Sequence, residues 1–223
     1  MIQSPDVRLL IFDLDGTLID SQADLAAAVN ATRGQVGLPP LELPDVASLV
    51  GRGAPQLIRD ALGPEAREQE LPRLLEFFIR YYHEHALDHT HLYPGVAQAI
   101  AEFGDRTLAV LTNKPVRVSR HILTGLGVVD RFRFLYGGNS FEQKKPDPVG
   151  VFSILEDTGL DAAQAMIVGD SQVDVLTGRN ARIWTCGVTY GFQPHSFLEN
   201  PPDLEVGSLP ELAAKLRDGW QPL

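Results

Sequence analysis

The feature that most limits what this chain can fold into is the run Arg8-Leu9-Leu10-Ile11-Phe12-Asp13-Leu14-Asp15-Gly16-Thr17. Its short aliphatic stretch reads as a buried strand, and it ends abruptly in two carboxylates one residue apart, followed by a Gly-Thr turn. An unpaired carboxylate inside a strand costs several kcal/mol. Asp13 and Asp15 therefore belong at the strand tip, facing a cation, a substrate or water. In an open α/β sheet the carboxyl ends of the strands are where ligands sit, so the first expectation is an active site at this tip.

The rest of the chain supplies a sheet for that strand. After Asp20 about seventy residues read as helical: Asp24–Val36, stopped by Pro39-Pro40; Val46–Leu62, interrupted at Gly51-Arg52-Gly53; and Leu71–Leu87. From Tyr93 the pattern alternates, with helices over 96–103, 116–125, 147–158, 173–181 and 209–216. Strands are expected over 107–112, 132–136, 165–168 and 183–188. Strands alternating with helices predict an α/β fold, a parallel sheet with helices on both faces. The helical block reads as a cap inserted just after the first strand. The expected division is 1–18 with 90–223 as the core and 19–89 as the cap.

A length of 223 residues, 44% of them hydrophobic, suffices for such a core and a smaller insert. The net charge of −10 argues against a nucleic-acid backbone or an anionic membrane as partner. A small anionic substrate remains compatible where a metal ion or a local Lys or Arg reverses the field. The single cysteine, Cys186, suits a reducing compartment and reads as a small buried residue rather than a nucleophile. Met1–Val7 lacks a basic-then-apolar signal pattern. The expectation is a soluble cytoplasmic protein, monomeric or homodimeric.

Polar residues recur at the strand ends: Asp13 and Asp15 after the first, Thr112-Asn113 after another, and Gly169-Asp170-Ser171, with Asp174 one turn on, after a third. A parallel sheet brings these tips to one edge. Convergent carboxylates suit Mg²⁺, a hard cation that prefers oxygen ligands. The set maps onto phosphoryl transfer. One carboxylate can act as nucleophile and a second as acid and base. Thr112 and backbone N–H groups can hold phosphoryl oxygens, and a lysine from Lys144-Lys145-Pro146 can offset the charge that develops.

Asp13-Leu14-Asp15-Gly16-Thr17, Leu111-Thr112-Asn113-Lys114-Pro115, Lys145-Pro146-Asp147-Pro148 and Val168-Gly169-Asp170-Ser171-x-x-Asp174 occur in that order. Together they resemble the haloacid dehalogenase superfamily of phosphatases, and specifically its phosphoglycolate phosphatase branch, over nearly the whole chain. The resemblance implies a Rossmann-like core with a helical cap. It makes Asp13 the nucleophile and a Mg²⁺ ligand, and Asp15 the general acid and base, lending its backbone carbonyl to the metal. Thr112 and Asn113 would bind the phosphoryl group, Lys145 would bridge it to Asp13, and Asp170 and Asp174 would complete the metal site. The implied activity is a Mg²⁺-dependent phosphomonoesterase acting on a small metabolite such as 2-phosphoglycolate. Sugar or amino-sugar phosphates, pyrophosphate and a phosphomutase reaction are the alternatives.

Two departures stand out against that family: Asn139 where Asp is usual after Gly137-Gly138, and Ala181-Arg182 where Ala-Gly is usual. Were Arg182 a left-handed helix cap, it would cost roughly 1 kcal/mol. A cap-lysine Schiff-base chemistry is excluded, because no lysine lies between Ser21 and Thr90. His83, Glu84, His85, His89 and His91 suggest a zinc site only superficially, since residues two apart on a helix face different ways. In the cap, Gly51-Arg52-Gly53 is expected to close over the site, with Arg52 pairing with a substrate anion.

Overall fold

The computed structural model describes residues 5–65 and 67–222, so the first residues of the Met1–Val7 stretch lie outside it. The central strand β1 (Leu9–Phe12) leads through the two-residue β2 (Ile19–Asp20) into four helices: α1 (Gln22–Gly34), α2 (Leu43–Leu49), α3 (Ala54–Leu62) and α4 (Leu71–His85). The chain returns along β3 (His91–Leu92), which pairs antiparallel with β2. It then alternates through α5 (Val96–Glu102), β4 (Thr107–Leu111), α6 (Val116–Gly125), β5 (Phe134–Tyr136), α7 (Val149–Thr158) and β6 (Ala165–Gly169). The chain closes with α8 (Gln172–Ala181), β7 (Trp184–Val188), β8 (Leu204–Val206) and α9 (Leu209–Asp218).

Six strands form one parallel sheet in the order β5-β4-β1-β6-β7-β8. All four residues of β1 are fully buried, as a central parallel strand covered on both faces requires. Successive side chains serve opposite layers. Leu9, Ile11, Ala109, Leu111, Ala165 and Ile167 pack with Val151 and Ile154 of α7 and Ala181 of α8. Leu10, Phe12, Leu108, Val110, Met166 and Val168 pack with residues of α5, α6 and α9, in a cluster that continues into α1, α3 and α4. The chain runs outward on one side of β1 to β4 and β5, then crosses to β6 on the other. The strand order therefore reverses at β1, where a crevice opens at the carboxyl ends.

The helix expected over 46–62 is two helices. The backbone turns at Gly51 and Gly53, both at positive φ, and α2 begins earlier, at Leu43, because Pro44 fits the first helical turn. The short β2, β3 and β8 had no legible period: two or three residues cannot show alternation. Among the described residues no helix is long and apolar enough to cross a membrane.

Candidate active site

Asp13, Thr112 and Asp170 each lie one residue past the end of β1, β4 and β6, three neighbouring strands. The Asp13 N–H donates to the Val168 carbonyl at 2.9 Å, continuing the ladder one step beyond β1. The Leu14 N–H then donates to Asp13 Oδ1 at 2.7 Å and orients the carboxylate. Gly16 turns the chain at a φ of 77°, and a Cβ there would run into the Asp170 carboxylate. Gly191 also packs directly on Asp170, and the Phe192 N–H donates to Asp170 Oδ2 at 2.7 Å.

Carboxylate oxygens of Asp13, Asp170 and Asp174 all lie within 4.8 Å of one another, a group that could hold a metal ion. Lys145 enters between two of them. Its Nζ is 2.6 Å from Asp174 Oδ1 and 3.0 Å from Asp13 Oδ1, and its side chain is almost entirely buried. Ser171 caps α8 and donates its hydroxyl to the other oxygen of Asp174 at 3.0 Å.

The electrostatics follow from this crowding. Burial pushes Asp13 up to about 6; Lys145 pulls the other way, while Asp174 and Asp15 add to the rise. Burial, followed by the charges of Asp174 and Asp13, pushes Asp170 well above the usual carboxylate range. Burial alone would lower Lys145, but the Asp13 and Asp174 carboxylates outweigh it and hold the ammonium charged. One cation among three buried acids leaves the cluster short of positive charge.

Asp15 faces a different set of partners. Lys114 Nζ meets its two oxygens at 2.7 and 2.8 Å, and the Ser21 hydroxyl donates to Oδ1 at 2.5 Å. The same ammonium lies 4.5 Å from the centre of the Tyr82 ring of α4. Burial would lower Lys114, but the Asp15 carboxylate outweighs it and holds the group up. The motif Leu111-Thr112-Asn113-Lys114-Pro115 by itself assigns Lys114 no role. The signal present was a lysine directly after Thr112-Asn113, but its partners lie 32 and 99 residues away in the chain.

Thr112 and Asn113 both line the cavity that opens between this edge and the helical block. The Asn113 side chain is a clamp. Its amide donates to the Gly51 carbonyl at 2.8 Å and the Lys145 carbonyl at 3.0 Å, while its Oδ1 accepts from the Lys145 N–H at 3.0 Å. Gln193 holds the same loop, donating to the Val50 and Ser48 carbonyls at 2.8 and 3.1 Å. The loop 50–53 thus does lie over the site, as expected of Gly51-Arg52-Gly53. Arg52 itself is the site residue that the structure does not bring in. Its side chain is 63% exposed and paired at 2.7 Å with Asp60, and the loop lines the cavity with Gly51 and Gly53 instead.

The remaining candidates have ordinary roles. His83 stacks on His121, His85 pairs with Asp88, and His89 meets Asp24, so no histidine cluster forms among the described residues. Cys186 is buried in the core and its thiol is pushed up by burial. Asn139 accepts from the Val116 N–H at 2.9 Å and caps α6. Lys144 stands beside Gly53 at the cavity rim, leaving the acid cluster to Lys145.

Comparison with known proteins agrees with this geometry. The family model for haloacid dehalogenase-like hydrolases matches residues 10–188. A phosphoglycolate phosphatase from Agrobacterium fabrum is 35% identical, over 97% of this chain and 95% of its own. Another from Chromobacterium violaceum is 35% identical, over 96% and 98%. A crystal structure of a predicted phosphoglycolate phosphatase from Haemophilus somnus superposes with a TM-score of 0.87 at 30% identity, covering 94% of this chain and 97% of that one.

Proposed function

The chain belongs to the haloacid dehalogenase-like hydrolases, and on that premise we propose that it is a Mg²⁺-dependent phosphatase of a small phosphomonoester, with 2-phosphoglycolate as the favoured substrate. The observation that carries this reading is the division of labour between two carboxylates two residues apart. Asp13 sits in the acid cluster beside Lys145, and Asp15 faces the cavity with a cation of its own.

The residues present fit a divalent cation, because three clustered acids share one lysine, and burial, with the neighbouring carboxylates adding to it, raises Asp13 and Asp170. Asp13, Asp170 and the backbone carbonyl of Asp15 would hold Mg²⁺. Asp174, with one oxygen on Lys145 and the other on Ser171, would reach it through water. When bound, Mg²⁺ would offset the negative charge of the phosphoryl oxygens and of Asp13.

In the proposed reaction an Asp13 oxygen attacks phosphorus and the P–O bond to the alcohol breaks, its oxygen taking the proton of Asp15. Water then attacks the phosphorus of the aspartyl-phosphate and gives a proton to Asp15. The bond to Asp13 breaks and inorganic phosphate leaves. Thr112, Asn113 and Lys145 would hold the phosphoryl oxygens, with Asn113 acting from the backbone since its side chain is committed to the clamp.

What favours 2-phosphoglycolate within the class of small phosphomonoesters is the set of relatives named above, which are phosphoglycolate phosphatases. We also carry as proposals the division into 1–18 with 90–223 and 19–89, a cytoplasmic monomer or homodimer, and no nucleic-acid partner. The test is phosphate release from a panel of phosphomonoesters with Mg²⁺ and with EDTA, for wild type and Asp13→Asn. Mg²⁺-dependent turnover, abolished in Asp13→Asn and strongest on 2-phosphoglycolate, is expected. Turnover spread over sugar phosphates would remove the substrate, and phosphorylated Asp13 without release would point to a mutase.

A further inference from the structure

The cavity has two electrostatic ends. One is the acid cluster with Lys145. The other lies beyond Asp15, on the side where a leaving alcohol would emerge, and it is built mostly of apolar side chains from the helical block: Leu25, Leu57 and Phe78. Against that apolar wall stand Lys114, the only cationic side chain among the described residues that line the cavity, with Lys144 at its rim, and the buried Tyr82, whose hydroxyl makes no well-formed hydrogen bond within the protein.

A lysine 6% exposed needs a reason beyond one carboxylate. Lys145 already serves Asp13, and Ser171 and Lys145 serve Asp174, so Lys114 is not required by the acid cluster. Lys114 meets Asp15 and the face of Tyr82, and an ammonium has three N–H donors. Lys114 and Ser21 lie near the Tyr82 hydroxyl without forming a well-shaped hydrogen bond to it, so a ligand that brings an acceptor would improve on those contacts.

We infer that Lys114 and Tyr82 form a second anion-binding subsite, which selects phosphomonoesters whose alcohol carries a carboxylate a short distance from the phosphoryl group. The inference rests on the phosphatase reading above and deepens it. The substrate carboxylate takes an N–H of Lys114 and the hydroxyl proton of Tyr82. Lys114 is then shared between Asp15 and the substrate tail, so a tail without charge leaves the ammonium on Asp15 and the tyrosine hydroxyl without a charged acceptor.

The experiment compares 2-phosphoglycolate with its uncharged amide, 2-(phosphonooxy)acetamide, under Mg²⁺, in wild type, Lys114→Gln, Lys114→Arg and Tyr82→Phe. Wild type is expected to prefer the acid by about 100-fold in kcat/KM, in the range by which polar sites reject ligands that leave them unpaired. Tyr82→Phe should narrow that preference to a few-fold through a raised KM for the acid, and Lys114→Gln, which also takes the cation from Asp15, should narrow the acid-to-amide ratio to a few-fold whatever it does to the absolute rates. Lys114→Arg should keep most of it. A wild type that hydrolyses both equally, or a preference unchanged in Lys114→Gln, overturns the subsite while leaving the phosphatase intact. If Lys114→Gln does not fold, an unchanged preference in Tyr82→Phe overturns it alone. Release from neither ester nor from any other phosphomonoester removes the phosphatase reading, and the subsite with it.

Discussion

Lys145 Nζ stands 2.6 Å from Asp174 Oδ1, with both side chains almost fully buried. The same ammonium reaches Asp13, the proposed nucleophile, at 3.0 Å, so it holds two members of the acid cluster together. Breaking a buried ion pair by removing one partner costs about 3–5 kcal/mol, because the other charge is left uncompensated. Lys145→Met is therefore expected to abolish phosphate release and to lower the thermal midpoint. Lys145→Met/Asp174→Asn should recover part of the stability and none of the activity. A double-mutant cycle by thermal unfolding reads the coupling, and additive losses would show that the pair is not coupled.

Divalent cations should stabilise the protein in a pH-dependent way. Asp13 is raised to about 6, so its contribution to stability is full below the unfolded carboxyl value and is lost as pH rises through 6. Above that pH the cluster carries its repulsion unless a cation relieves it. Millimolar Mg²⁺ should raise the unfolding midpoint clearly at pH 7.5 and much less at pH 5, where protons compete for the same oxygens. Equal shifts at both pH values would separate cation binding from these carboxylates.

Asp24 ties the two ends of the helical block together. From α1 it accepts the His89 and Thr90 N–H groups, at 3.0 and 2.8 Å to Oδ2, and the Thr90 hydroxyl at 2.7 Å. Burial alone would raise this carboxyl, but the hydrogen bonds from His89 and Thr90 outweigh it and hold it below its ordinary value. A depressed carboxyl stabilises the fold above its unfolded pKa, and that stability is lost as pH falls through the lower folded value. Asp24→Asn should cost about 2 kcal/mol at pH 7 and flatten the acid limb of a stability-versus-pH curve. An acid limb as steep as in wild type would assign that dependence to other groups.

Arg182 caps α8 in the left-handed conformation, at φ 59° and ψ 36°, the one described non-glycine residue at positive φ. That conformation costs an L-residue about 1–2 kcal/mol, against about 0.4–1 kcal/mol for the extra freedom glycine gives the unfolded chain. Arg182→Gly should stabilise by roughly 0.5–1 kcal/mol in denaturant unfolding, with activity unchanged. A loss of stability would mean that the arginine side chain makes up the backbone strain.

Much of the candidate site is legible in the sequence, since the acids and polar residues proposed for it sit at strand ends that sequence periodicity marks. Asp13, Asp15, Thr112, Asp170 and Asp174 each follow an apolar run or open a helix, and a parallel sheet must gather such positions at one edge. Lys145 stands in a motif that carries the family resemblance, and Arg52 only in a glycine-flanked loop; both are cations outside the regular elements. Lys145 is drawn in by two buried acids, whereas Arg52 has Asp60 within reach on the next helix and satisfies its charge there, in water.

The amino-acid sequence by itself therefore determined the parallel sheet, the inserted helical block and the set of acids at the strand tips, because these follow from local patterning of apolar and charged residues. Tertiary structure alone decided which cation meets which acid. It set Lys114 against Asp15 and Tyr82, and turned the Asn113 side chain into a clamp on the loop of the helical block. These partners are separated by 32 to 99 residues. Pairings over such distances are fixed by how the helical block settles on the sheet edge and by the cost of leaving a buried charge alone.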